Sequence, residues 1–140
     1  MELRSARIFL AEDNQADVFL VREALVAHGV IFELELAEDG ETACRSLARL
    51  CADAGELLPD LVVLDLNLPK RNGREVLRQV RASERCRDLP VVVLTSSDSP
   101  TDREQAQALG ANAYYQKPAR LDDFLKLGAA LKSFLPSLAS

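Results

Sequence analysis

The run Leu61–Leu64, Leu-Val-Val-Leu, followed at once by Asp65, constrains this chain more than any other stretch. Four apolar residues in a row fit a strand buried on both faces, as in a parallel sheet covered by helices. Pro69 closes the stretch, because it has no N–H to give a ladder. Ligands of open parallel sheets sit beyond the carboxyl ends of the strands. A carboxylate placed there is a reactive group or a metal ligand. Taken alone, such an Asp also fits a plain cap for the next helix. Its company at the other strand ends decides between the two.

Short apolar runs recur at Arg7–Leu10, Phe32–Leu36, Val91–Thr95 and Ala113–Gln116. Between them lie helical patterns. The first runs from about Ala16 to His28, with Leu20, Val21, Ala24, Leu25 and His28 on one face and Gly29 as a left-handed cap. The second spans Glu41 to about Ala52, with Ala43, Leu47, Leu50 and Cys51 inward. The third starts at Asn72-Gly73 and turns Val76, Leu77 and Val80 inward. The fourth opens on Ser99-Pro100-Thr101-Asp102: a capping Ser, a Pro suited to the first helical position, and an acid for the positive helix end. It is polar, offers the core only Ala106 and Leu109, and ends near Gly110. The last runs from Leu121 to about Leu135, with Leu121, Phe124, Leu125, Gly128, Leu131 and Leu135 as its buried face. Five strands alternating with five helices predict an α/β, doubly wound parallel sheet with right-handed crossovers. Residues 1–140 are expected to form one domain.

Composition removes several function classes. The net charge is −5, and the basic residues are spread through helices rather than massed, which argues against nucleic acid. There is no apolar run of membrane-spanning length and no leader-like start, so the expected location is cytoplasmic. Cys44, Cys51 and Cys86 are odd in number with no metal-ligand spacing, and are read as reduced thiols. The single His28 reads as a packing residue at a helix end.

Three strand ends carry polar residues: Glu12-Asp13, Asp65 and Thr95-Ser96-Ser97. A fourth carries Lys117. In a doubly wound sheet these meet at one crevice. Two carboxylates ~4 Å apart repel by about 4 kcal/mol at an effective dielectric near 20. The cluster therefore has to recruit a cation, shift a pKa or hold Lys117 close. Oxygen donors without His or Cys favour a hard ion, and Mg²⁺ on one or two carboxylates keeps waters free for a phosphate. With that ion and Lys117 present, Asp65 can act as a nucleophile toward phosphorus, and Thr95 can hydrogen-bond a phosphoryl oxygen.

The ordered set also resembles a known family. Glu12-Asp13, Asp65 with Pro69 and Gly73 four and eight residues on, Thr95, and Lys117-Pro118 with Tyr114 three residues before the Lys are similar to the receiver domain of a two-component response regulator. The resemblance covers nearly the whole chain. Glu-Asp-Asn-x-x-Asp at 12–17, Leu-Asp-Leu-Asn-Leu-Pro-Lys and Leu-Gly-Ala-Asn-Ala-Tyr resemble the stand-alone regulators paired with bacterial phytochrome-type kinases. It implies a flavodoxin-like receiver fold with strand order 2-1-3-4-5. It implies that Asp65 takes phosphate from a histidine kinase's phosphohistidine. Asp13, Glu12, Asp65 and the Asn67 carbonyl would hold Mg²⁺, and Lys117 would pair with Asp65 and then with the phosphoryl group. Thr95 and Tyr114 would form the switch, and Asn67 and Ser97 would tune phosphate lifetime. The Lys117–Pro118 bond is expected to be cis. The chain would not be an enzyme beyond its own phosphorylation and dephosphorylation.

Outside that resemblance, Thr95 also fits an ordinary β-branched strand residue, and Tyr114 an ordinary core aromatic. No output domain is expected, so output would pass through partner binding. Leu127, Ala130 and Phe134 form a second apolar stripe on the last helix, a surface for a homodimer or for partial burial. Two rival functions remain. A haloacid-dehalogenase-type phosphatase also uses a strand-end Asp with Mg²⁺, but needs a second acid where Asn67 stands. A receiver-like module that binds without phosphorylation would have lost Asp13, Asp65 or Lys117, and all three are present.

Overall fold

A computed structural model describes residues 5–136. The elements follow in strict alternation: β1 (Ala6–Ala11), α1 (Gln15–Ala27), β2 (Phe32–Ala37), α2 (Gly40–Ala52), β3 (Leu61–Leu64), α3 (Gly73–Ala82), β4 (Val91–Thr95), α4 (Pro100–Ala108), β5 (Ala113–Gln116) and α5 (Leu121–Ser133). The strands form one parallel sheet in the order β2-β1-β3-β4-β5. The predicted architecture and order are both present, with element ends displaced by one or two residues where helices fray or strands extend.

Alternation along the strands feeds two helical layers. Ile8, Leu10, Leu61, Val63, Val92 and Leu94 face α1 and α5, where they meet Val21, Leu25, Phe124 and Leu131. Phe9, Ala11, Val62, Leu64 and Val91 face the other way, onto Leu47, Leu50, Val76, Leu77 and Val80 of α2 and α3. Under α4 the apolar cluster is small: Leu66, Val93, Ala106 and Tyr114. Burial on both faces is why the central strands read as unbroken apolar runs rather than as alternating ones.

Side chains cap four of the five helices: Asn14 on Asp17, Asp39 on Thr42, Asn72 on Glu75, and Ser99 on Asp102. Gly29 takes φ +72° after α1, as its position implies. Gly128 has a different task. A Cβ there would lie 2.1 Å from the Ala24 carbonyl oxygen, so α1 and α5 touch backbone to backbone only because this residue is glycine. His28 donates from Nε2 to the Leu125 carbonyl at 3.1 Å, and Lys132 donates to the His28 carbonyl at 3.0 Å, closing the same interface.

Three expectations need correction. Leu121 is exposed rather than buried, because burial on α5 starts only at Phe124 and the first turn, with Asp122 and Asp123, is exposed as a whole. On the second apolar stripe of α5, Leu127 and Phe134 are half-buried against the α1/α5 core cluster, one of the two readings the sequence leaves open. Cys51 and Cys86 are joined in a disulfide with a Cα–Cα distance of 5.7 Å, and only Cys44 is a free, buried thiol. These partners are 35 residues apart, and the packing of α2 against α3 brings them together. No peptide bond among the described residues is cis, so Lys117–Pro118 is trans, the intrinsically favoured isomer.

Candidate functional site: an acidic cluster around one lysine

Register builds the site. Ala11 pairs with both Ala37 and Leu64, and the ladder runs one step further, with Glu12 N–H donating to Ala37 O and Asp65 N–H to Ala11 O, each at 3.0 Å. Glu12 and Asp65 thus emerge side by side just past the last paired residues. Thr95 closes β4, and its carbonyl accepts the Lys117 N–H at 2.7 Å, which delivers Lys117 to the same mouth.

The Lys117 ammonium is the centre of the arrangement. Its Nζ lies 2.7 Å from Glu12 Oε1, 2.8 Å from Asp17 Oδ2 and 2.8 Å from Asp65 Oδ2. Both Glu12 and Asp65 are almost fully buried. Burial alone would lower the Lys117 pKa, but its hydrogen bonds to Asp17, Asp65 and Glu12 outweigh this and hold the ammonium above its ordinary range. Burial pushes the Glu12 carboxyl up to about 7, with the Asp65 charge adding to the effect and Lys117 opposing it.

Glu12, Asp13 and Asp65 each offer a carboxylate oxygen, and these oxygens lie within 4.8 Å of one another. An all-oxygen set of three carboxylates, one of them exposed, suits a hard divalent ion that retains water. Glu12 is oriented by the Asn14 N–H at 3.1 Å, and Asp65 by the Asn67 N–H at 3.0 Å. Lys70, in the loop that follows, sits in the left-handed region at φ 69°, a strain of the kind found at functional loops. Gly73 lets α3 start against this loop, since a Cβ there would lie 2.3 Å from the Asp65 carbonyl oxygen.

Thr95 is fully buried. Its hydroxyl oxygen accepts from Asn67 Nδ2 at 3.4 Å. Tyr114 lies inward, 6% exposed, with its hydroxyl donating to the Ser97 carbonyl at 3.1 Å. Ser97 does not aim its hydroxyl at Asp65. It donates to Asp102 Oδ2 at 2.6 Å.

Glu12, Asp13, Asp65 and Lys117 thus gather at one mouth with Asn67 beside Asp65 and Thr95 against Asn67, whereas Ser97 and Tyr114 bond within the β4–α4 region rather than to the carboxylates. Asp17 was missed as a partner of Lys117. Its signal was available, since it closes the Glu-Asp-Asn-x-x-Asp run and falls in the first turn of the helix that leaves the site. Arg74 and Asp102 were missed too, with no local signal for their meeting.

The chain belongs to the response regulator receiver domain family, whose model matches residues 8–128. It is similar to a probable methanogenesis regulatory protein, FilR2, of Methanothrix harundinacea, at 40% identity over 127 residues, covering 91% of this chain and 81% of FilR2. It is also similar to response regulator Rcp1 of Synechocystis, at 37% identity over 91% of this chain and 86% of Rcp1. The Mn²⁺-bound crystal structure of Rcp1 aligns with a TM-score of 0.81 at 36% identity, over 94% of this chain and 99% of that one. The phosphorylated cyanobacterial phytochrome response regulator RcpA aligns with a TM-score of 0.84 at 37% identity, over 98% of both chains. Nothing in these likenesses favours a haloacid-dehalogenase-type phosphatase.

Proposed function

We propose that Asp65 accepts a phosphoryl group from a phosphohistidine of a sensor histidine kinase, with Mg²⁺ bound by Glu12, Asp13, Asp65 and the Asn67 carbonyl. The observation that carries this reading is one ammonium held within 2.8 Å of three carboxylates at a single strand-end mouth. Mg²⁺ would supply charge neutralisation and a fixed point for the phosphoryl oxygens. Lys117 steadies the Asp65 carboxylate as nucleophile and then pairs with the transferred group. The Thr95 hydroxyl donates to one phosphoryl oxygen. Thr95 and Tyr114 transmit the added charge as a switch, and Asn67 and Ser97 flank the path by which water removes the phosphate.

The chain's catalysis is confined to its own phosphorylation and dephosphorylation, and its place is among signalling proteins. A bacteriophytochrome-type kinase is the donor best supported, because RcpA is a phytochrome response regulator and shares 37% of its residues with this chain. No helix among the described residues is long and apolar enough to cross a membrane, in keeping with a cytoplasmic donor and acceptor. Self-association through the α5 region is part of the proposal. Leu127, Ala130 and Phe134 support it by remaining partly exposed there.

Incubation with Mg²⁺ and acetyl phosphate is expected to give one base-labile phosphate per chain. Asp65→Asn is expected to lose all of it, together with any phosphate-dependent shift in sedimentation. Full labelling of Asp65→Asn would overturn the assignment.

A further inference from the structure

Among the described residues, one buried side-chain polar atom lacks a hydrogen-bond partner: Arg74 Nε. Taking part of a guanidinium out of water without satisfying it is costly, so the contact that holds it there has to be worth keeping. That contact is with Asp102. Arg74, on the first turn of α3, pairs through Nη2 with Asp102 Oδ1 on the first turn of α4, and both side chains are more than two-thirds buried.

Asp102 has a second partner. Its Oδ2 accepts the Ser97 hydroxyl at 2.6 Å. Ser97 is the hub of the β4–α4 loop. Its Oγ accepts from Ser99 N–H at 3.2 Å, its carbonyl accepts the Tyr114 hydroxyl at 3.1 Å, and its own N–H lies 3.5 Å from Thr95 Oγ1. The Arg103 guanidinium lies 4.8 Å over the Tyr114 ring and closes it from outside. At the other end, Arg74 follows Gly73, whose N–H bonds to Leu66 O beside Asp65. A continuous run of contacts thus leaves the backbone next to Asp65, crosses from α3 to α4, and returns through Ser97 to Thr95 and Tyr114.

The apolar packing under α4 is too thin to fix this loop, since Ala106 is the only buried residue of the helix. We propose that Arg74 and Asp102 are positioning residues: they clamp Ser97 and so hold the β4–α4 loop in the form that keeps the Thr95 hydroxyl between Ser97 and Asn67 and the Tyr114 ring inside. Neither touches the phosphoryl group. The role in phosphoryl transfer rests on the receiver function above, whereas the clamp on Tyr114 does not.

The chain has two tyrosines and no tryptophan, so Tyr115→Phe leaves Tyr114 as the single fluorophore of its kind. In that background, acrylamide quenching of Tyr114 and the rate of Asp65 labelling by acetyl phosphate with Mg²⁺ are measured for Arg74→Gln, Asp102→Asn and Ser97→Ala. Quenching is expected to rise about twofold or more, and labelling to slow ~5-fold, the scale of one lost polar contact acting through position. Arg74→Lys, which keeps the charge, is expected to recover most of both. If Arg74→Gln fails to fold, Ser97→Ala deletes only the hydroxyl at the hub and carries the same test. Quenching unchanged in Asp102→Asn and Ser97→Ala overturns the clamp. Increased quenching with unchanged labelling overturns its role in the reaction. A parent that takes no label at all fails the receiver reading, and the quenching arm still decides the clamp.

Discussion

Both faces of the sheet carry a buried apolar cluster, but on the face of α2 to α4 polar and covalent fastenings are added to it. On one, α1 and α5 pack through Val21, Leu25, Phe124 and Leu131, with Gly128 letting the backbones touch. On the other, charged and covalent fastenings take a growing share from α2 to α4. Arg85 donates to the carbonyls of Leu50, Asp53 and Glu56. Arg81 donates to those of Leu89 and Gly110 and to Asn112 Oδ1. A disulfide joins Cys51 to Cys86, and at α4 the Arg74–Asp102–Ser97 clamp stands in for an apolar interface. Close packing has one good solution and resists displacement. Polar fastenings exchange with water at small net cost, so the α4 side is where the fold can rearrange.

The largest effect expected on this contrast comes from the covalent fastening. Replacing Cys51 and Cys86 by Ala is expected to lower unfolding stability by about 4 kcal/mol in denaturant titration, given the 35-residue separation, while leaving the labelling rate at Asp65 unchanged. Gly128→Ala comes next. Its methyl group would meet the Ala24 carbonyl, so a loss of ~3 kcal/mol is expected, again by denaturant titration. Arg74→Gln is expected to cost less than Gly128→Ala by the same measurement, because Gln keeps a donor within the same pocket and creates no steric clash. A stability cost larger for Arg74→Gln than for Gly128→Ala would break the comparison.

The smallest expected effect is a dependence on acid. The hydrogen bond from Ser97, with help from Arg74, holds the Asp102 carboxyl below its ordinary value of 3.8. A depressed folded pKa contributes stability that is present above 3.8 and is lost as pH falls through the lower folded value. Tyr114 quenching is therefore expected to stay flat from neutral pH to about 4 and to rise only below that. A rise already complete at pH 5 would show that some other group governs the loop.

Asp65, Glu12-Asp13, Thr95 and Lys117 were legible because each stands directly after an apolar run, and strand ends of a parallel sheet share one side. Gly73 was legible from its spacing to Asp65. Asp17 was half-legible, quoted as the end of a run but not recognised as a ligand of Lys117. The clamp was not, since Arg74 and Asp102 are 28 residues apart, and each reads alone as an ordinary first-turn charge. Leu121 was misplaced because a helical period gives a face but not the turn at which burial begins along it.

By itself the sequence determined the alternation of elements, the doubly wound sheet and the gathering of acids with one lysine at its mouth. These follow from local periodicity and from a topology with few right-handed solutions. Tertiary structure alone decided that Cys51 meets Cys86, that Asp17 completes the lysine's shell, and that Arg74 reaches Asp102. Each of those contacts depends on the distance and rotation between elements that neighbour one another only in the folded chain, and these are set by how side chains interlock on the sheet rather than by any pattern along the chain.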